Sequence, residues 1–254
     1  MNAIVAIGGG EIGGAGYSIE TTEIDKEIIR LTGKSNPRLL FVPTASGDSE
    51  SYFKDAQNHF GRRLGCQVDS LYLIKDKLSR LQVENKIFGA DIVYVGGGNT
   101  LKMMRVWRKL GVDKILMLAH RKGVVLAGVS AGAICWFDSG HSDSMSFYDQ
   151  NSWNYIRVKG IGMIRGIFCP HFDGMTRGVE RKYYFFEMVK KTGGVGIAVE
   201  NRCAIEFVDS KYYRVLSSRP GAAAYKVYKK RGAAVMQKIE QKEEFMPIEE
   251  LYKK

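Results

Sequence analysis

Gly128-Val129-Ser130-Ala131-Gly132 is the stretch of this sequence best suited to chemistry. A serine in Gly-x-Ser-x-Gly, where an apolar strand ends and a helix begins, matches a nucleophile elbow. So sharp a turn needs small neighbours where the helix packs beneath the serine, and Gly128, Ala131 and Gly132 supply them. The Ala131 N–H, at the helix start, is a natural donor to an oxyanion. A serine hydroxyl needs a base at neutral pH, and the chain offers four histidines. His59 and His120 fall in helical patterns and read as surface positions. His141 lies in the polar run Ser139-Gly140-His141-Ser142-Asp143. His171, in Phe168-Cys169-Pro170-His171-Phe172-Asp173, follows an apolar run and would end a strand at the edge that carries Ser130. His171 is therefore the preferred base and His141 the reserve. For the acid that orients the imidazole, Asp143, Asp138, Asp173 and Glu200 all occupy loop or strand-end positions, Asp143 just beyond the nucleophile helix.

These groups can meet only on a shared sheet edge, and the hydrophobic pattern predicts one. Strands are expected at Ala3 to Ile7, Arg38 to Val42, Val68 to Leu73, Asp91 to Val95 and Val124 to Val129. Helical spacing marks Thr22 to Leu31, Ser51 to Leu64, Leu78 to Ile87, Leu101 to Leu110 and Val112 to Arg121, with helix continuing from Ser130 through Phe137. Continuous apolar strands alternating with helices imply a mostly parallel, doubly wound α/β sheet covered on both faces. After about Gly140 the strand-like runs draw closer: Gly166 to Cys169, Val195 to Val199, Ala204 to Val208, Tyr212 to Leu216 and Ala222 to Lys230, with one helix near Val179 to Lys191. They suggest a hairpin-rich edge appended to the parallel sheet. Residues 1–254 read as a single domain, with a polar, mobile, peripheral tail from about residue 232.

Composition excludes several classes. The longest apolar runs span about eight residues, against the roughly 20 a membrane helix needs. Met1 to Gly8 lacks a basic n-region and reads as a first strand rather than a signal peptide. Cys66, Cys135, Cys169 and Cys203 are widely spaced, so free thiols in a reducing cytoplasm are expected and a zinc site is not. The net charge of +11 could attract nucleic acid. The bases are interspersed with acids, however, as in Lys238 to Glu244, so a solvated basic surface is the preferred reading.

Val95-Gly96-Gly97-Gly98-Asn99-Thr100, then Gly128 to Ala133, then Pro170-His171-Phe172, together resemble the peptidase E (aspartyl dipeptidase) family, with cyanophycinases as more distant relatives. The resemblance runs from the first strand to about Phe207. It implies a three-layer α/β/α sandwich like that of class I glutamine amidotransferases, and a serine peptidase that needs no metal or cofactor. By motif, Ser130 would be the nucleophile and His171 the base, with the Gly98 and Ala131 N–H groups holding the oxyanion. Asp143 would be the third member, and Glu200 an alternative acid or structural neighbour. The family's preference for an N-terminal aspartate implies a cation placed for the substrate carboxylate, with Arg157 and Arg177 as candidates. The segment from Asp143 to Lys159 departs from the family pattern. The expected partner is a small peptide, with no nucleic acid or membrane, and a homodimer is compatible. The alternative is a catalytically silent relative that binds a small anionic ligand.

Other motifs were weighed against this one. Gly8-Gly9-Gly10-Glu11-Ile12-Gly13 matches a dinucleotide fingerprint, but the second strand ends Phe41-Val42-Pro43-Thr44 without the ribose-binding acid. Gly96 to Gly98 lacks the Gly-Lys-Ser/Thr of a P-loop. Cys135 lies inside the expected helix, packed and inert.

Overall fold

The computed structural model describes residues 2–14 and 16–253. Met1, included in the expected first strand, and Lys254 lie outside the described residues. In chain order the elements are β1 (Ala3–Ile7), α1 (Thr22–Arg30), β2 (Arg38–Val42), α2 (Glu50–Ala56), β3 (Gln67–Ser70), α3 (Arg80–Gly89), β4 (Ile92–Val95), α4 (Thr100–Leu110), α5 (Val112–Arg121), β5 (Val125–Val129) and α6 (Ala131–Ile134). There follow β6 (Phe137–Ser142), β7 (Ile156–Lys159), β8 (Ile164–Cys169), β9 (Met175–Thr176), β10 (Val179–Glu180), α7 (Arg181–Thr192), β11 (Val195–Val199), β12 (Cys203–Val208), β13 (Tyr212–Ser217), β14 (Ala224–Lys230), β15 (Ala233–Ile239), β16 (Met246–Pro247) and α8 (Ile248–Tyr252).

An eight-stranded sheet in the order β16-β13-β12-β1-β5-β4-β2-β3 forms the frame. The run β1-β5-β4-β2-β3 is parallel. Its carboxyl ends therefore lie on one edge, where ligands of open α/β sheets bind. Alternating side chains divide the core. Val5, Ile7, Phe41, Tyr94 and Ala127 pack with Ile24 and Ile28 of α1 and Ala56 of α2. Ile4, Leu40, Val93, Val95 and Leu126 face the other way, onto Val83 of α3, Met103 and Trp107 of α4, and Ile115 of α5.

The second half differs from the expected single sheet. The hairpin β12-β13 does extend the parallel sheet, antiparallel to β1. The remaining strands instead form a six-stranded sheet, β15-β14-β11-β8-β6-β7. Phe137, Phe168, Ile197 and Tyr228 of this sheet share a core with Ile205 and Phe207 of the first, and α7 covers its outer face through Phe185 and Val189.

Local corrections follow from burial. The nucleophile helix stops at Ile134, not Phe137: Trp136 and Phe137 are fully buried. Backbone pairing of Cys135 and Trp136 with Ile161 and Met163 replaces the next helical turn. His141 sits in β6, buried, rather than in a loop. His59 and His120 are buried, not on the surface. His59 lies in a π-helical stretch, Gln57–Arg63, that continues α2. Arg63 donates to its Nδ1 at 2.8 Å, so its Nε2–H must be the donor to Asp25, 2.7 Å away. The tail is not peripheral either. β15 pairs along its length with β14, and Leu251 of α8 is fully buried in the main core. Leu251→Ala should lower the unfolding free energy by about 2–5 kcal/mol. A urea midpoint unchanged by that substitution would show that α8 is not part of the folded core.

Candidate active site

Ser130 ends β5 with φ 54° and ψ −109°, a left-side backbone rarely tolerated outside glycine. The turn closes because its neighbours lack side chains. A Cβ on Gly128 would strike the Gly132 carbonyl, and one on Gly132 would strike the Val95 carbonyl of β4. The Ser130 N–H donates to the Ile7 carbonyl at 3.0 Å, tying the elbow to the end of β1. Its hydroxyl caps no helix N–H, and the residue is half-buried. Ala131 opens the helix, where first-turn N–H groups have no intrahelical acceptor.

The glycine triplet lies alongside. A Cβ on Gly97 would come within 3.7 Å of the Ser130 Cβ, so this loop lies directly against Ser130. The Gly97 N–H donates to the Tyr52 hydroxyl at 3.4 Å. Gly98 has φ +134°, and a Cβ there would overlap the Ala45 carbonyl of the loop after β2. Its N–H has no acceptor among the described residues. Burial pushes the Tyr52 phenol up to about 12, so it stays neutral.

His171 is anchored one carbonyl further along β1. Its N–H donates to the Gly8 carbonyl at 3.0 Å, and its φ of 48° turns the ring back toward the sheet edge. The ring packs on the Gly9 backbone, where any Cβ would overlap its Nδ1 and the Asn201 Oδ1. Likewise, a Cβ on Gly8 would meet the Glu200 carbonyl. The glycines that mimic a dinucleotide fingerprint therefore serve close backbone approach. Burial, and then the Arg181 charge, hold the imidazole below its ordinary value of 6.5, while the Asn201 hydrogen bond, Asp143 and Asp173 act in the opposite sense.

The expected acids are not what the imidazole touches. His171 Nδ1 lies 2.7 Å from Asn201 Oδ1, and Asn201 was missed because only acids were sought. Asp173 accepts from both the Asn201 N–H and its Nδ2, each at 2.9 Å. Asp143 makes no hydrogen bond to His171 and stands 3.6 Å from Arg181 Nη1. Glu200 accepts from the Ala223 N–H and the Tyr225 hydroxyl, each at 2.9 Å. Asp138 accepts from the Gly166 N–H and lies away from the elbow. His141, the reserve base, is enclosed beneath Tyr155, its ring stacked at 4.0 Å, so it cannot reach solvent.

The cation whose charge acts on His171 is Arg181, which carries no sequence signal beyond a place at the start of α7. It is 4% exposed, donates through Nη2 to the His141 carbonyl at 2.9 Å, and lies 4.7 Å from the Tyr155 ring centroid. Its Nε has no partner among the described residues. Arg157 and Arg177, the sequence candidates, are exposed, and Arg177 is bound to the Asn151 and Trp153 carbonyls. Among the described residues, no three His, Cys, Asp or Glu side chains are grouped to hold a metal ion, and no helix is long and apolar enough to cross a membrane.

The sequence profile of peptidase family S51 matches residues 4–215. The chain belongs to peptidase family S51. It is 36% identical over 230 residues to the uncharacterized peptidase YgaJ of Bacillus subtilis (strain 168), covering 89% of this chain and 92% of that one. It is 33% identical to a peptidase E of Streptomyces coelicolor over 95 residues, 37% of this chain and 36% of that one. The crystal structure of a peptidase from an acI-B1 Actinobacterium superposes with a TM-score of 0.68 at 18% identity, covering 97% of this chain and 96% of that one. Membership makes this S51 chain a peptidase, in agreement with the resemblance drawn from its three motifs.

A test of the site geometry uses Gly9 of this S51 peptidase. Gly9→Ala should push the imidazole off Asn201 toward solvent. In nitrogen-15 spectra the His171 titration, with a midpoint below 6.5 in the parent protein, should then move up toward 6.5. An unshifted midpoint would mean that the ring does not pack on Gly9.

Proposed function

We propose that this protein is a serine dipeptidase of peptidase E type that hydrolyses short peptides beginning with an acidic residue. His171 Nε2 takes the Ser130 proton as Ser130 Oγ attacks the peptide carbonyl. The Gly98 and Ala131 N–H groups receive the developing oxyanion. The His171 proton passes to the leaving amine, and water, deprotonated by the same imidazole, hydrolyses the acyl-enzyme. The observation that carries this reading is the strained, half-buried Ser130 lined by the Gly97-Gly98 backbone. Asn201 takes the orienting place expected of Asp143, as an asparagine does in cysteine peptidases of the papain type.

Acid preference is supported by Arg181. Asp143 is its one carboxylate neighbour within 4 Å among the described residues, at 3.6 Å and partly exposed, and its Nε is unpaired. A substrate carboxylate would complete that coordination. The fold reading goes with the function. The parallel half, with α1 and α2 on one face and α3 to α5 on the other, supports a three-layer sandwich of class I amidotransferase type. One core cluster running through both sheets supports a single domain. Four buried free cysteines fit a reducing cytoplasm.

Fluorophosphonate should label Ser130, and Ser130→Ala should abolish labelling and lower kcat by roughly 10⁴-fold or more. A folded protein that is neither labelled nor active on a dipeptide panel would instead be the silent, ligand-binding relative. Arg181→Met should lower kcat/KM for Asp-Xaa dipeptides by about 10²-fold or more, since it leaves a buried carboxylate unpaired. Neutral dipeptides should be affected far less, and equal losses on both would remove Arg181 from recognition.

A further inference from the structure

We infer that Asp173 is a positioning residue: by fixing which end of the Asn201 amide faces His171, it sets the imidazole tautomer that leaves Nε2 free to accept a proton. The inference rests on the proposed roles of Ser130 and His171, but its argument is one of valence. A carboxylate has only acceptors, and the Asp173 Oδ1 lies 2.9 Å from both the backbone nitrogen and the Nδ2 of Asn201. Both contacts are satisfied only if the amide points its NH₂ at Asp173. The atom left for His171 is then Oδ1, at 2.7 Å, and an amide oxygen cannot donate. His171 Nδ1 must therefore carry the hydrogen. A neutral imidazole has one N–H, so Nε2 keeps its lone pair.

Turned over, the amide would offer N–H to Nδ1, placing the imidazole hydrogen on Nε2 and leaving the nucleophile without a base. Among the described residues, no other side chain hydrogen-bonds the Asn201 amide. Gly9, the other neighbour of the Asn201 Oδ1, contributes no side chain. Arg181 and Asp143 act on His171 through charge and make no hydrogen bond to Asn201. An acid at position 201 would need no such control, because both of its oxygens accept. The chain has an asparagine there, and the carboxylate one step out supplies the missing direction.

The test compares Asp173→Asn with the exchanged pair Asp173→Asn/Asn201→Asp, using purified full-length protein and an Asp-Xaa dipeptide. Asp173→Asn lets the amide turn over and should lower kcat about 10–100-fold with KM nearly unchanged, short of the roughly 10⁴-fold loss when a wrong tautomer is enforced. The exchanged pair should recover most of the loss, since an acid at 201 accepts from Nδ1 in either orientation. Its acid limb should move to higher pH, because a carboxylate beside the ring favours imidazolium. Nitrogen-15 spectra of the resting protein should show a protonated Nδ1 and a bare Nε2, becoming mixed in Asp173→Asn. A wild-type ring protonated on Nε2, or tautomers unmoved in Asp173→Asn, overturns the inference. A kcat loss that the exchanged pair does not recover also overturns it, as a purely structural role for Asp173. If Ser130→Ala leaves hydrolysis intact while the tautomers still shift, the peptidase assignment of Ser130 fails and the positioning by Asp173 stands.

Discussion

Two consecutive carbonyls at the end of β1 hold the site together. The Ile7 carbonyl takes the Ser130 N–H and the Gly8 carbonyl takes the His171 N–H, each at 3.0 Å. Successive carbonyls of an extended chain point to opposite sides. β1 therefore acts as a post between the parallel sheet, which delivers the serine, and the segment after β8, which delivers the histidine. Each residue is held at positive φ by its own turn, so neither depends on a flexible loop for its direction. The post must be bare where the two sides converge, and Gly8 and Gly9 keep it so.

The parallel half of the fold was legible because β1, β2, β4 and β5 are buried on both faces and read as largely unbroken apolar runs. Ser130 and Gly98 follow such runs on the parallel sheet, whose carboxyl ends share an edge, whereas His171 follows β8 of the second sheet and is tied to that edge through the Gly8 carbonyl. The second sheet was legible only in part: β8, β11 and β14 were expected as strands, but not β6, β7 and β15 or their separation into a sheet of their own. Phe137-Asp138-Ser139-Gly140-His141-Ser142 carries too few apolar residues to announce a strand. It is one because Phe137 packs on Phe168, with ring centroids 4.7 Å apart, and because Gly140 leaves room for Ile134. Tertiary packing of this kind overrides local preference.

The helpers of the site were hidden for a different reason. A serine–histidine pair ordinarily uses an acid as its third group, so the sequence points to carboxylates. Glu200 and Asp173 were both noticed, yet the residue on the imidazole is Asn201, directly after one and bonded to the other. Its role exists only through the partner that turns its amide, which spacing cannot express. Arg181 was hidden among the charges of Glu180-Arg181-Lys182, and only burial separates it from its half-buried neighbours.

A neutral partner and a buried cation bear on the same imidazole in opposite senses. Asn201 lends His171 direction but no negative charge, and Arg181 disfavours the imidazolium. Burial and the Arg181 charge together outweigh the Asn201 hydrogen bond and favour the neutral ring over the imidazolium. On the proposed reading, an acidic substrate side chain docked at Arg181 would offset that charge at the moment the ring must accept the Ser130 proton. A neutral side chain would leave the field in place. Selectivity would then arise in the proton-transfer step as well as in binding, which is where a transition-state interaction contributes most to rate.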